Sequence, residues 1–211
     1  MRKNKPRIGI IDLESNNLYS IYNSCLISGF KPKIISPKEK IFNYDLVIMP
    51  GVGAFKTGMR VLKRYYYDDK ILNYLEKPNA FLYGICLGMQ LLFNSSQEFG
   101  LTKGLKLMKG KVKKFPEQKN LKTNMGWAKV SIQQEELFLN KKQFDKHYFY
   151  FVHSYYVNPS ENKDIFGISY HQDFKFTSII KKKNIIGTQF HPEKSGKIGI
   201  SFLKNLKNNL N

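Results

Sequence analysis

The chain has 211 residues, 42% hydrophobic and 14% aromatic, enough to build a core and too apolar for disorder over most of its length. Thirty-five Lys and Arg against 16 Asp and Glu give a charge of +19, but arginine stands only at 2, 7, 60 and 64 and the lysines are spread along the chain. That pattern reads as a lysine-rich solvated surface, with a basic face for an acidic or phosphorylated ligand as the other reading, and it argues against a nucleic-acid-binding module. No run of 18 apolar residues predicts a membrane span. Two cysteines cannot form a disulfide framework, and a strand-like segment rather than a signal-peptide core follows the basic start Met1–Arg7. The expectation is a cytoplasmic protein.

In chain order, Arg7–Asp12 reads as a buried strand. Leu18, Ile21, Tyr22, Cys25 and Leu26 follow at helical spacing, with Gly29 suited to close the helix. Lys33–Ile35 and Asp45–Met49 are the next strands, the second stopped by Pro50-Gly51-Val52-Gly53. Helices are predicted near 57–65 and 68–76, then a strand at Ala80–Ile85 and a helix from Leu87 to Phe93. This alternation predicts an α/β fold with a mostly parallel central sheet flanked by helices. The second half changes to short strands: Leu105–Val112, Ala128–Ile132, Tyr148–Val152, Ile165–Tyr170, Phe176–Lys181 and Ile185–Phe190. They predict an antiparallel extension. Ile198, Phe202, Leu203, Leu206 and Leu210 line a last helix, and without repeat or linker residues 1–211 read as a single domain.

Three segments carry chemistry. Gly84-Ile85-Cys86-Leu87-Gly88 is a nucleophile elbow with cysteine as the central residue, where a strand turns sharply into a helix. Gln189-Phe190-His191-Pro192-Glu193 lies about 105 residues later and offers a base, His191, with Glu193 to fix its tautomer. Pro50-Gly51-Val52-Gly53 can turn a backbone N–H toward an oxyanion, with the N–H of Leu87 as the second donor. Together they predict thioester chemistry on an acyl group: attack, loss of an amine, hydrolysis. Cys25, on a helix's apolar face, reads as core. His147 and His171 read as surface residues. Neither a metal site nor a cofactor is expected.

These pieces resemble the triad (class I) glutamine amidotransferases, whose signature joins a Gly-x-Cys-x-Gly turn to a later His-Pro-Glu. Gly51–Phe55, Tyr83–Leu92, Met125-Gly-Trp127, Tyr150–Tyr155 and Gly187–Ser195 look like the branch that forms glutaminase subunits of imidazole glycerol phosphate synthases. The resemblance implies that glutamine is hydrolysed to glutamate and ammonia. The ammonia would pass through a separate (β/α)8-barrel synthase subunit in a heterodimer serving histidine synthesis. It implies Cys86, His191 and Glu193 as catalytic residues, and Gly51, Val52 and Leu87 as oxyanion elements. Gly53, Gln90, His153, Ser154 and Tyr155 would bind substrate, and Asn17, Trp127, Lys194 and Ser195 would meet the partner. Neither nucleic acid nor membrane is an expected partner.

Two segments depart from the branch. Its Asp-Tyr-Gly-x-Gly-Asn-Leu pattern is Asp12-Leu-Glu-Ser-Asn-Asn-Leu18 here, without either glycine, and Thr123-Asn124 stands where Pro-His precedes Met-Gly-Trp. Both segments are expected to face the active-site mouth or the partner. They leave open an alternative acceptor: a barrel partner that aminates a sugar nucleotide in surface-polysaccharide synthesis.

Overall fold

In the computed structural model, which describes residues 6–14, 17–117, 121 and 123–210, the first half alternates strand and helix as its hydrophobic pattern requires. The elements are β1 (Arg7–Ile11), α1 (Leu18–Ile27), β2 (Lys31–Ile35), β3 (Leu46–Gly51), α2 (Phe55–Arg64), α3 (Tyr67–Leu75), β4 (Phe81–Cys86) and α4 (Leu87–Leu91). There follow β5 (Ser95–Ser96), β6 (Thr102–Lys103), β7 (Gly110–Lys114), β8 (Asn124–Ile132), α5 (Lys141–Phe144), β9 (His147–His153) and β10 (Tyr155–Pro159). The chain closes with β11 (Ile165–His171), β12 (Phe174–Lys182), β13 (Ile185–Thr188) and α6 (Gly196–Asn205). Ser15 and Asn16 of the departing segment, and residues 1–5, lie outside the described residues.

One nine-stranded sheet runs β2-β1-β3-β4-β13-β12-β11-β8-β9. Its first five strands are parallel, and the antiparallel strands extend the same sheet. Both faces of the parallel part are covered, so β3 and β4 at its centre are apolar and buried along nearly their whole length. Ile48, Tyr83 and Ile85 pack with Ile21, Phe190 and Phe202 on the α1–α6 side. Val47, Met49 and Leu82 pack with Phe55, Leu62 and Ile71 on the α2–α3 side. Strand order reverses beside β1, and the carboxyl ends of the parallel strands open at that reversal, where α/β sheets hold their ligands.

A second, four-stranded sheet, β10-β7-β5-β6, was not expected. The chain leaves the large sheet at Ser154 and pairs Tyr155–Pro159 with β7, which sets His153, Ser154 and Tyr155 at the junction of the two sheets. The predicted strand Leu105–Val112 begins only at Gly110. The backbone N–H of Leu105 donates to the Leu91 carbonyl, and those of Leu107 and Met108 to the Leu92 carbonyl. This segment therefore satisfies the last carbonyls of α4, which would otherwise be orphaned, instead of joining a ladder. Gly29 sits just beyond α1 with φ +80°, as its place in the sequence predicts. His171, expected on the surface, is only partly exposed: its ring centroid is 5.1 Å from that of Phe115 and its Nε2 is buried.

Candidate active site

The elbow forms because two glycines let three backbones touch. A Cβ on Gly84 would come within 2.7 Å of the Gly88 and Met89 backbone, and one on Gly88 within 1.7 Å of the Met49 carbonyl oxygen. Cys86 between them has φ +52° and ψ −105°, a conformation that a side chain occupies only where the surroundings enforce it. Its side chain opens on a cleft of about 350 Å³, which Val52, Gly53 and Leu87 also line. Gly51 lies directly opposite Cys86 in the parallel β3–β4 register. Gly51 also packs close to Leu87, a Cβ on it falling 3.2 Å from the Leu87 Cβ, so the loop and the residue after the nucleophile are neighbours at the cleft.

Strand β13 is the other neighbour of β4, with Thr188 opposite Ile85. The chain continues from it to His191, whose ring is 1% exposed. His191 Nδ1 donates to Glu193 Oε1 at 2.7 Å, which leaves Nε2 for the sulfur. Burial pushes the His191 imidazolium down, but the Cys86 thiolate and the Glu193 carboxylate beside it prevail, and its pKa rises to about 10. Cys25 is the contrast: it is fully buried, and burial, with the Glu193 charge adding to it, pushes its thiol up to about 12.

Several expected residues have other partners than foreseen. Asn17, expected at an interface, is 6% exposed, and its side-chain amide donates to Glu193 Oε1. It steadies the triad carboxylate from beneath. Ser195, also expected at an interface, is 1% exposed; its Oγ donates to the His191 carbonyl and accepts from the Tyr150 N–H. It fixes the turn that carries His191. Trp127 and Lys194, expected at an interface, are exposed. Glu14 stands where the family pattern has its first glycine and keeps φ +56°, its carboxylate paired with Arg64 at 3.0 Å.

On the substrate side, Gln90, Ser154 and Tyr155 line the cleft with Gly53. Gln90 Nε2 is already taken by the Tyr155 carbonyl at 2.9 Å and by Gln189 Oε1 at 3.2 Å, so only its oxygen is left for a ligand. Thr123 lines the cleft as well, while Asn124 lies behind it and donates to His153 Nε2 at 3.1 Å. The departure at 123–124 therefore serves the cleft wall. Sequence reasoning missed Glu98. Among the described residues it is the one carboxylate lining the cleft, burial raises its pKa, and its Oε2 accepts from the Phe55 N–H at 2.7 Å. It suits the α-ammonium of an amino acid. No local pattern marks it, because its contact with Phe55 spans 43 residues.

His153 is fully engaged, with Nδ1 donating to the Tyr155 carbonyl at 2.8 Å. Burial pushes its pKa down to about 3 against the pull of that carbonyl, and the charge on His191 adds to the push. A histidine held below its unfolded value of about 6.5 sheds its proton on folding, so the unfolded chain binds more protons in between. This contribution to stability is complete above that value and is lost as pH falls toward 3. Between about pH 7.5 and about pH 5 the wild type should lose about 2 kcal/mol more than His153→Gln, measured by urea unfolding at each pH. His191, held above its unfolded value, acts in the opposite sense and is common to both proteins. Equal acid losses would show that His153 is not the group responsible.

Over residues 9–207 the sequence matches the family described as Glutamine amidotransferase class-I. It is 41% identical to the imidazole glycerol phosphate synthase subunit HisH of Caldanaerobacter subterraneus subsp. tengcongensis, over 94% of this chain and 96% of that protein. It is 40% identical to the same-named subunit of Methanosarcina acetivorans, again over 94% and 96%. The Arabidopsis thaliana imidazole glycerol phosphate synthase hisHF, chloroplastic, is 38% identical over 93% of this chain but only 33% of its own length. Among solved structures, a chain of PurLQS from Thermotoga maritima superposes with a TM-score of 0.73 at 20% identity, over 98% of both chains, a likeness of fold alone. Identity near 40% over nearly the whole of two proteins is common descent, and this chain belongs to the class-I glutamine amidotransferase family.

Proposed function

We propose that this chain is the glutaminase subunit of an imidazole glycerol phosphate synthase and passes ammonia to a separate (β/α)8-barrel subunit in histidine biosynthesis. The observation that carries the chemistry is His191, its Nδ1 on Glu193 at 2.7 Å and its other nitrogen free for the elbow cysteine. The Cys86 thiolate attacks the side-chain carbonyl of glutamine, and the Leu87 and Gly51–Val52 amides receive the oxyanion. As the C–N bond breaks, the His191 imidazolium gives its proton to the leaving nitrogen, releasing ammonia and a γ-glutamyl thioester. His191, now neutral, takes a proton from water, which attacks the thioester and frees glutamate and the thiolate.

The partner half of the reading has its own support. In the Arabidopsis thaliana relative, a segment matching this chain is one third of a protein named for the whole synthase. Met125 and Trp127 point the same way from β8 and are 68% and 55% exposed. Met125 pairs across the ribbon with Val152, which lines the cleft, so this apolar strip is continuous with the cleft mouth. An exposed apolar strip of this kind marks a docking face.

The test is reconstitution with the barrel subunit. Docking that completes the oxyanion hole should raise glutamate release about 100-fold, the worth of one such donor. Trp127→Ala should weaken the complex and that stimulation together. A barrel subunit that neither binds nor stimulates would exclude this assignment and leave the sugar-nucleotide acceptor as the reading to try.

A further inference from the structure

The motif that closes β13 holds a residue that the mechanism above leaves unused. Gln189 is fully buried, two residues before the catalytic histidine. Its backbone N–H donates to the Ser178 carbonyl at 2.9 Å, which ties it to β12. Its side chain points back at the nucleophile, with Nε2 3.5 Å from Cys86 Sγ.

The orientation of that amide follows from its neighbours. The Tyr155 carbonyl can only accept, so the Gln90 side chain must turn its Nε2 toward it. The same Nε2 reaches Gln189, which must answer with its oxygen, at 3.2 Å. Turning Gln189 over would set two N–H groups against each other, and turning Gln90 as well would set two oxygens against each other. Only one arrangement satisfies every group, and it leaves a Gln189 N–H aimed at sulfur. A buried donor without an acceptor is costly, and a thiolate accepts far better than a thiol.

We propose that Gln189 is a further catalytic residue of the glutaminase, donating a hydrogen bond to the ionised Cys86 sulfur, and that Gln90 is the positioning residue that orients it. The sulfur is then held between two donors: His191, which moves protons, and Gln189, which cannot. When His191 hands its proton to the leaving ammonia, Gln189 still fixes the sulfur in place. The Val152 carbonyl, 3.8 Å from the sulfur, offers no such support. The titratable groups around the sulfur are His191 with Glu193 behind it, and His153, Glu98 and Tyr155 on the cleft wall.

The inference rests on Cys86 as the nucleophile, and its test does not use glutamine. The rate of Cys86 alkylation by iodoacetamide, followed against pH, reads the ionisation of the sulfur in the intact chain. Cys25 stays unreacted because it is buried, with its thiol near 12. In Gln189→Met the alkylation midpoint should rise by about one pH unit or more, the worth of a hydrogen bond to a charged group. In the complex with the synthase subunit, kcat at neutral pH should fall by about tenfold with KM nearly unchanged. Gln90→Met should move the midpoint in the same direction by a smaller step. A folded Gln189→Met variant, checked by circular dichroism, with the wild-type midpoint overturns the proposal. If Gln189→Met does not fold, a wild-type midpoint in Gln90→Met overturns it instead. Neither outcome touches the nucleophile itself, which only glutamate release by a Cys86→Ala variant would disprove.

Discussion

Cys86→Ala should lower glutamine hydrolysis by at least about 10⁴-fold while the fold and partner binding persist. The sulfur forms the covalent bond, so nothing else in the cleft can replace it; the oxyanion amides alone leave only weak residual catalysis. The side chain is 5% exposed at the floor of the cleft and contributes nothing to the Met125–Trp127 strip, so docking is untouched. A second readout is independent of turnover. Burial pushes His191 down, and its rise to about 10 is owed to the thiolate first and Glu193 second. Removing the sulfur leaves burial opposed by Glu193 alone, so the imidazolium should titrate at lower pH, visible in the ring ¹⁵N shifts of labelled histidine. Wild-type glutamate release by this variant would falsify the thioester mechanism. An unchanged His191 titration would show that the thiolate is not its partner.

What could be read from the sequence is what depends on residues close together in it. The elbow was legible because Gly84, Cys86 and Gly88 are a local pattern, and the structure explains both glycines by contacts that admit no Cβ. His191 and Glu193 were legible for the same reason, being two residues apart and bonded to each other. The contacts that escaped are long-range. Asn17 reaches Glu193 across 176 residues, Gln189 reaches Cys86 across 103, and Glu98 reaches the start of α2 across 43. Only the order of strands decides that these groups meet. Asn17 and Ser195, both polar and in segments the resemblance associates with the partner, are buried because each satisfies a group of the triad. In the fold, the run Tyr148–Val152 continues into Tyr155–Pro159 almost without a break. No periodicity says that the chain changes sheets at Ser154.

The elbow contact itself predicts a large effect on both stability and rate. Gly88→Ala would put a Cβ 1.7 Å from the Met49 carbonyl oxygen, a backbone atom of β3 that cannot step aside without moving the strand. The variant should lose about 3 kcal/mol or more of unfolding free energy, the cost of overpacking a core contact that cannot relax. Gly100→Ala separates this from simple backbone strain, because Gly100 has φ +93° but open space where its Cβ would go. It should lose only about 1 kcal/mol. Activity divides the two further. Met49 is two residues before Gly51 on the strand that ends in the proposed oxyanion loop, and Gly88 is two residues after Cys86. Pushing α4 away from β3 therefore widens the gap between the Leu87 N–H and the Gly51–Val52 loop. A displacement near an ångström costs about 100-fold in rate, so a Gly88→Ala protein that still folds should be about that much slower. Gly100→Ala, whose site bears on neither donor, should keep its kcat. Equal unfolding free energies for the two variants would mean that α4 can lean away from β3 freely, and the close approach of elbow and oxyanion loop would then not be what holds the two amides in place.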